Sequence, residues 1–485
     1  MRLKVNRQNL RVYPDPKRVI TRYFEHGEIK TNFIIPKILS LSEADAEFSL
    51  NNILREFAKR HRNITLIFGM HYERIKFRVC EILGGNDNIT DTKKLLIGAY
   101  YSMEYSIESA ALFNPSIVEH PDQSGLEDGQ KRVIISFRAT GESHISSIVF
   151  RSGIVESDGT ISLDPQGKYI SQAEILKEHL YDKVVFKGIL VEHGTDTVIL
   201  TEVLDKLGDF FYFNDLEQLI ESIKKSRELN LDDTKTLTQM MWLAKSHYKI
   251  VFSQDTDISE RVIFPVSKTE SNGIEDARFV RFEDTNGEIT YYATYTAYDR
   301  YTILPKILET KDFYHFKNSP LHGESIKDKN FSIFPKKING KYAMLSRLDG
   351  VNHYIMFSDD INVWENAELL KTPEKEWELV QIGNCGSPIE TKQGWLMITH
   401  GVGPMRKYSI GAMLLDLNEP QKVVATLREP LIVPNEDERE GYVPNVVYSC
   451  GSMIHNNNLI IPYAVSDYSS SFASISLAKV LDAMT

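Results

Sequence analysis

Residues Gly273 to Phe282 read Gly-Ile-Glu-Asp-Ala-Arg-Phe-Val-Arg-Phe. Two adjacent acids, Glu275 and Asp276, and two arginines, Arg278 and Arg281, stand in a segment that otherwise reads as the start of a β-strand. Charges at such a place cost free energy unless they are solvated or paired. Either the acids pair with the arginines, or they line a polar pocket. Segments of the same kind recur twice, about one repeat further on each time, with different polar residues. Repeated β-units around a shared polar pocket are a usual setting for carbohydrate chemistry.

The elements that must hold these residues follow from the turn chemistry. Asn286-Gly287, Asn339-Gly340 and Gln393-Gly394 each precede a β-branched and aromatic run, and their glycines lie 53 and 54 residues apart. Asn456 to Asn458 precede a fourth such run, and Asp128-Gly129 and Asp158-Gly159 are further hairpin signals. A period of roughly 50 residues holding several short strands predicts a mainly β chain, a propeller of about five blades, rather than a sandwich of regular hairpins. Residues 1–95 read as a mixed, partly helical region, with Ser42 as a helix N-cap and Phe48, Leu50, Ile53, Leu54 and Phe57 on one apolar face. Residues 96–485 read as the propeller domain, with a partly helical insertion at about 168–248.

Composition narrows the chemistry. The chain has 485 residues, 42% hydrophobic and 25% charged, enough for a large core. A net charge of −11 argues against nucleic acid and anionic membrane as partners. Cys80, Cys385 and Cys450 are too few and too scattered for a disulfide framework or a zinc motif, so a reducing compartment fits. The start of the chain lacks the apolar core of a signal peptide, and no apolar run is long enough to cross a bilayer. A cytoplasmic protein is expected. No Walker loop, Rossmann fingerprint, HExxH or paired CxxC occurs, so neither metal nor organic cofactor is expected.

Several pieces together resemble glycoside hydrolase family 130, the β-mannoside phosphorylases and β-mannosidases. They are Gly273 to Arg278, Phe334 to Arg347, Gly386-Ser-Pro-Ile-Glu390 with Gly394-Trp395, and His400-Gly-Val-Gly403 followed by Gly411 to Leu417. The resemblance covers about 100–165 and 250–485. It implies a five-bladed propeller with the active site in a central funnel. It also implies inverting, exo-acting cleavage of β-manno-oligosaccharides.

Carried over by position, the resemblance makes Asp276 the proton donor, acting through a sugar hydroxyl, with Glu275 lining the sugar pocket. Asn114, Ser116, Arg138, His353 and Asp467 match sugar-contacting positions. Lys329, Asn330 and Arg347 match the phosphate cradle of the phosphorylases, where inorganic phosphate is the co-substrate. Glu390 stands where phosphorylases carry a lysine. A carboxylate there repels phosphate and could instead activate water, which tilts the expectation toward hydrolysis. Phosphorolysis to α-mannose 1-phosphate is the alternative, and Arg406 or Lys407 could restore the charge. Glu390 could equally be a rim acid paired with Lys392 or Arg406, and Glu440 is a reserve base. A propeller that binds glycans or proteins without catalysis is the rival of another class. The N-terminal helices could serve a homo-oligomer interface or simply dock on the propeller.

Overall fold

The computed structural model describes residues 3–85, 88–176, 179–192, 194–299 and 303–485. The protein is mainly β with two helical additions. Its strands are rich in β-branched and aromatic residues. Ile289–Tyr298, for example, reads ITYYATYTAY and is buried along nearly its whole length. Burial on both faces follows because each sheet is packed between two others.

Five sheets carry a four-strand antiparallel run each. The first orders Ala111–Glu119, Lys131–Thr140, Ser146–Val155 and Arg261–Ile263. The second begins with Ile274–Glu283, the third with Lys329–Ile333, the fourth with Gln381–Asn384 and the fifth with Val447–Tyr448. The predicted turns Gly129, Gly287, Gly340, Gly394 and Asn456 to Asn458 each lead into the second strand of a sheet. First strands of successive sheets are joined directly. Phe279 N donates to Ser116 Oγ at 3.1 Å, and Asn384 N donates to Asn330 Oδ1 at 2.8 Å. The fifth sheet returns to the first, with Leu112 N donating to Tyr468 O and Cys450 N to Pro115 O, both at 2.9 Å.

The N-terminal unit holds helices α1 (Glu28–Leu39), α2 (Glu43–Phe57), α3 (Ile64–Ile82) and α4 (Asp91–Tyr100). They pack around their own core of Ile35, Leu50, Phe68, Tyr72 and Leu96. Ser42 caps α2 as expected, its Oγ accepting from Asp45 N at 3.1 Å. Phe48, expected on the apolar face of α2, instead points outward and is 69% exposed. The helical unit does not begin at the first residue. Asn6–Val12 pairs with Ser469–Ser476 and belongs to the fifth sheet. Its sequence, NRQNLRV, is too polar to announce a strand, and its backbone covers an otherwise open sheet edge.

The insertion has a second helical core, including Leu200, Leu216, Leu237 and Met240. Its ends, Glu174–Leu176 and Tyr248–Val251, pair with each other, and the latter pairs with His315–Pro320 at the outer edge of the second sheet. Among the described residues no helix is long and apolar enough to cross a membrane.

Candidate active site

The first strands of three sheets carry the same local device. Each has a break in ladder register, between Phe113 and Ser116, Glu275 and Arg278, and Lys329 and Ser332. Within each break one residue is left-handed, Asn114 at φ 49°, Asp276 at 54° and Asn330 at 77°. Asn and Asp tolerate this region best among residues with a Cβ. A bulge re-aims a side chain out of the pleat. Arg406 (φ 54°) and Asp467 (φ 51°) are left-handed in the loops that complete the wall. Gly273 at φ 126° lets the Asp276 segment approach the first sheet. A Cβ there would stand 2.7 Å from Ser146 N.

These residues line one polar cavity of about 170 Å³. Asn114 Nδ2 donates to Asp276 Oδ1 at 2.6 Å, and Arg138 reaches the same oxygen at 3.3 Å. Arg138 also donates to Glu275 Oε1 at 2.7 Å and lies over the Phe113 ring. Lys329 Nζ stands 3.6 Å from Glu275 Oε2, and Arg278 stands 3.9 Å from Asp276 Oδ2. Arg347 completes the cationic side, held from behind by Asp328 at 3.3 Å. Arg406 lines the wall and forms no ion pair among the described residues.

The walls thus carry Arg138, Arg278, Lys329, Arg347 and Arg406 against Glu275, Asp276 and Asp467. Five cations face three carboxylates in the lining, and with Asp328 behind Arg347 counted the excess is one positive charge, within a chain of net charge −11. Burial alone would raise the pKa of Asp276. Arg138, Arg278, Lys329 and the Asn114 amide outweigh it and hold the carboxyl below its ordinary value of 3.8. Asp467 goes the other way. Burial raises it to about 6, aided by the negative charges of Asp276 and Glu275 and opposed by Arg138 and Arg406. Two carboxyls in one cavity are therefore driven apart in acidity. No cluster of His, Cys, Asp and Glu suited to a metal ion occurs among the described residues.

Not every expected residue faces this cavity. Asn330 lines it, but its side-chain amide donates to Asn384 O and to Tyr448 Oη and so ties the third sheet to the fourth and fifth. Ser116 is fully buried and spends its hydroxyl on Phe279 N. His353 is also fully buried and outside the lining. Burial, aided by Arg347 and Lys371, lowers its pKa to about 3, so the ring is neutral. Glu390 is the main correction. It lies past the end of its sheet's first strand, in a separate 560 Å³ cavity, with its side chain 43% exposed and paired with Lys336 at 2.7 Å. Its partner is neither Lys392 nor Arg406, and it does not line the cavity that holds Asp276. Glu440 is exposed and outside the lining.

Three wall residues escaped the sequence reading. Arg278 is more than a partner for the acids, since it both approaches Asp276 and donates to Tyr448 Oη at 2.6 Å. Tyr448 and Tyr408 flank His400, a buried neutral imidazole whose Nδ1 lies 3.1 Å from Asn384 O. Nothing in isolated tyrosines of a strand-rich chain separates wall from core.

The chain is 36% identical over 208 residues to a 1,2-beta-oligomannan phosphorylase of Thermoanaerobacter sp., covering 41% of this chain and 67% of that protein. It is 30% identical over 326 residues to a beta-1,2-mannobiose phosphorylase of Listeria innocua, covering 61% and 90%. A solved structure of the beta-1,2-mannobiose phosphorylase from Listeria innocua superposes with a TM-score of 0.47 at 22% identity, over 77% of this chain and 92% of that one. The family model described as beta-1,4-mannooligosaccharide phosphorylase matches residues 232–485, which include Asp276, Lys329, Arg347 and Asp467. With that match spanning more than half of its length, the chain belongs to glycoside hydrolase family 130 and is an enzyme of that family's type.

Proposed function

We propose that this enzyme phosphorolyses β-linked manno-oligosaccharides from the non-reducing end, with inversion, giving α-mannose 1-phosphate. The observation that carries this reading is the excess of cations around Asp276, together with the removal of Glu390 from the site. An excess of positive charge suits a phosphate anion, and arginine suits its oxygens. Three relatives named as phosphorylases support the same choice over hydrolysis.

In the proposed reaction phosphate sits among Lys329, Arg347 and Arg406. One of its oxygens bonds to the anomeric carbon while the bond from that carbon to the glycosidic oxygen breaks. The proton held by Asp276 ends on the leaving oxygen, relayed through a sugar hydroxyl. An empty site keeps Asp276 ionised, because its cationic neighbours favour the charged form. Arriving phosphate offsets those cations and adds negative charge, so the proton affinity of Asp276 rises and it takes up from solvent the proton that it later gives. The co-substrate therefore supplies the nucleophile and also readies the acid. Glu275, Arg138, Asn114 and Asp467 orient the mannosyl hydroxyls. The scheme uses no cofactor.

The same reading takes the five sheets as blades of a propeller, with first strands lining the axis and the 96–485 region as the catalytic domain. Sheet-to-sheet contacts that run from the first to the fifth and back support it. Three free cysteines suit a cytoplasmic setting. The test is the phosphate dependence of β-1,2- and β-1,4-mannobiose consumption. The rate should rise from near zero and saturate with phosphate. A rate indifferent to phosphate overturns the reading.

A further inference from the structure

The N-terminal helical unit leaves an apolar face uncovered. Leu66, Met70 and Phe77 follow one another along the outer side of α3, and Ile29 and Phe33 lie one turn apart on the outer side of α1. All five are between 62% and 88% exposed. The two helices meet near the end of α3. Arg78, next to Phe77, donates to Asn32, next to Phe33, at 2.7 Å and stands 3.5 Å from Glu28.

Side chains of this size hide about 150–250 Å² each when buried. At the observed exposures that range gives the five roughly 530–890 Å² of surface open to water. That lies at or above the largest patch of an ordinary monomer, roughly 300–600 Å². It approaches the ~800 Å² that each partner contributes to a stable protein–protein interface. The charges among the apolar groups are matched within the protomer, Lys76 with Glu73 at 3.4 Å and Arg78 with Glu81 at 2.7 Å. A face whose charges are already matched can meet its own copy about a two-fold axis without like-charge repulsion. An anionic membrane would find Glu73 and Glu81 opposed to it. The face lies outside residues 232–485, so it is an addition to the part that the family model matches.

We propose that α1 and α3 form the interface of a homodimer, with the apolar rows of one copy seated on those of the other. The proposal is independent of the reaction assigned to the funnel. Sedimentation velocity on the full chain tests it. Wild type should run at twice the 55.6 kDa chain mass at micromolar concentration. Phe33→Glu with Phe77→Glu should weaken self-association by about 100-fold or more and leave a monomer, since buried aromatic anchors dominate interfaces. Leu66→Glu with Met70→Glu should act in the same direction, and catalytic rates should hold in both. Val198→Glu, at an exposed position of the insertion, should leave the dimer intact. The proposal is overturned if wild type stays monomeric at every concentration, or if both paired variants remain dimeric. Dissociation by Val198→Glu alone, or a monomer that instead binds vesicles of anionic lipid, overturns it as well.

Discussion

The first strands of the five sheets have two ends, and the ends differ. At one, residues such as Asn114, Asp276 and Asp467 enclose a cavity of 170 Å³ with unbalanced charge and several left-handed residues. At the other lies a cavity of 560 Å³, more than three times larger. Its charges are matched in pairs: Lys131 with Glu119, Arg281 with Glu283, Lys336 with Glu390 and Lys337 with Asp284. Size therefore does not mark the end proposed as reactive. Chemistry needs charge that the protein has not already neutralised, held by backbone that a packed strand would not otherwise adopt.

The sharpest way to break this contrast is substitution at the small cavity. Asp276→Asn should lower kcat by roughly 10²–10⁴-fold with the fold retained, as expected for loss of an acid catalyst. Steady-state kinetics with circular dichroism checks it. Arg347→Ala should raise the KM for phosphate by about 10–100-fold, the value of a lost charge-assisted hydrogen bond, with a smaller effect on the KM for mannoside.

Asp467 gives a pH signature. Its pKa of about 6 means that it is a carboxylate above that pH and protonated below. As pH falls through 6 its hydrogen bonds from sugar hydroxyls weaken, so the KM for mannoside should rise several-fold. Asp467→Asn should remove that limb of the profile. The smallest effect belongs to the large cavity. Glu390→Gln should leave kcat/KM within about two-fold and cost less than about 1 kcal/mol of stability, as for an exposed ion pair. A large loss of activity in that variant would return the chemistry to the opposite end.

The sequence carried the rhythm of the fold because turns have strict chemistry. Gly287, Gly340 and Gly394 could be placed before second strands from residue type alone. The acidic motif was legible for a related reason, since Asp276 has no apolar role in a strand. Its competing reading, an ion pair with Arg278, is also partly true, because the two lie 3.9 Å apart. What the sequence hid was depth along the strand. At ~3.3 Å per residue, a few positions decide which end a side chain serves. Glu390, in Ile389–Thr391 beyond the strand Gln381–Asn384, fell on the far side of that line. Ser116 was hidden by the register break at Asn114, and His353 by its place on the third strand of its sheet, away from the first strands that line the cavity. The edge strand Asn6–Val12 had no apolar pattern to read.

The most direct measurement is the fate of solvent oxygen. With β-mannobiose and phosphate in ¹⁸O-labelled water, the account predicts α-mannose 1-phosphate whose anomeric oxygen carries no label. Free mannose labelled at the anomeric oxygen as the first product, formed at the same rate without phosphate, would contradict it.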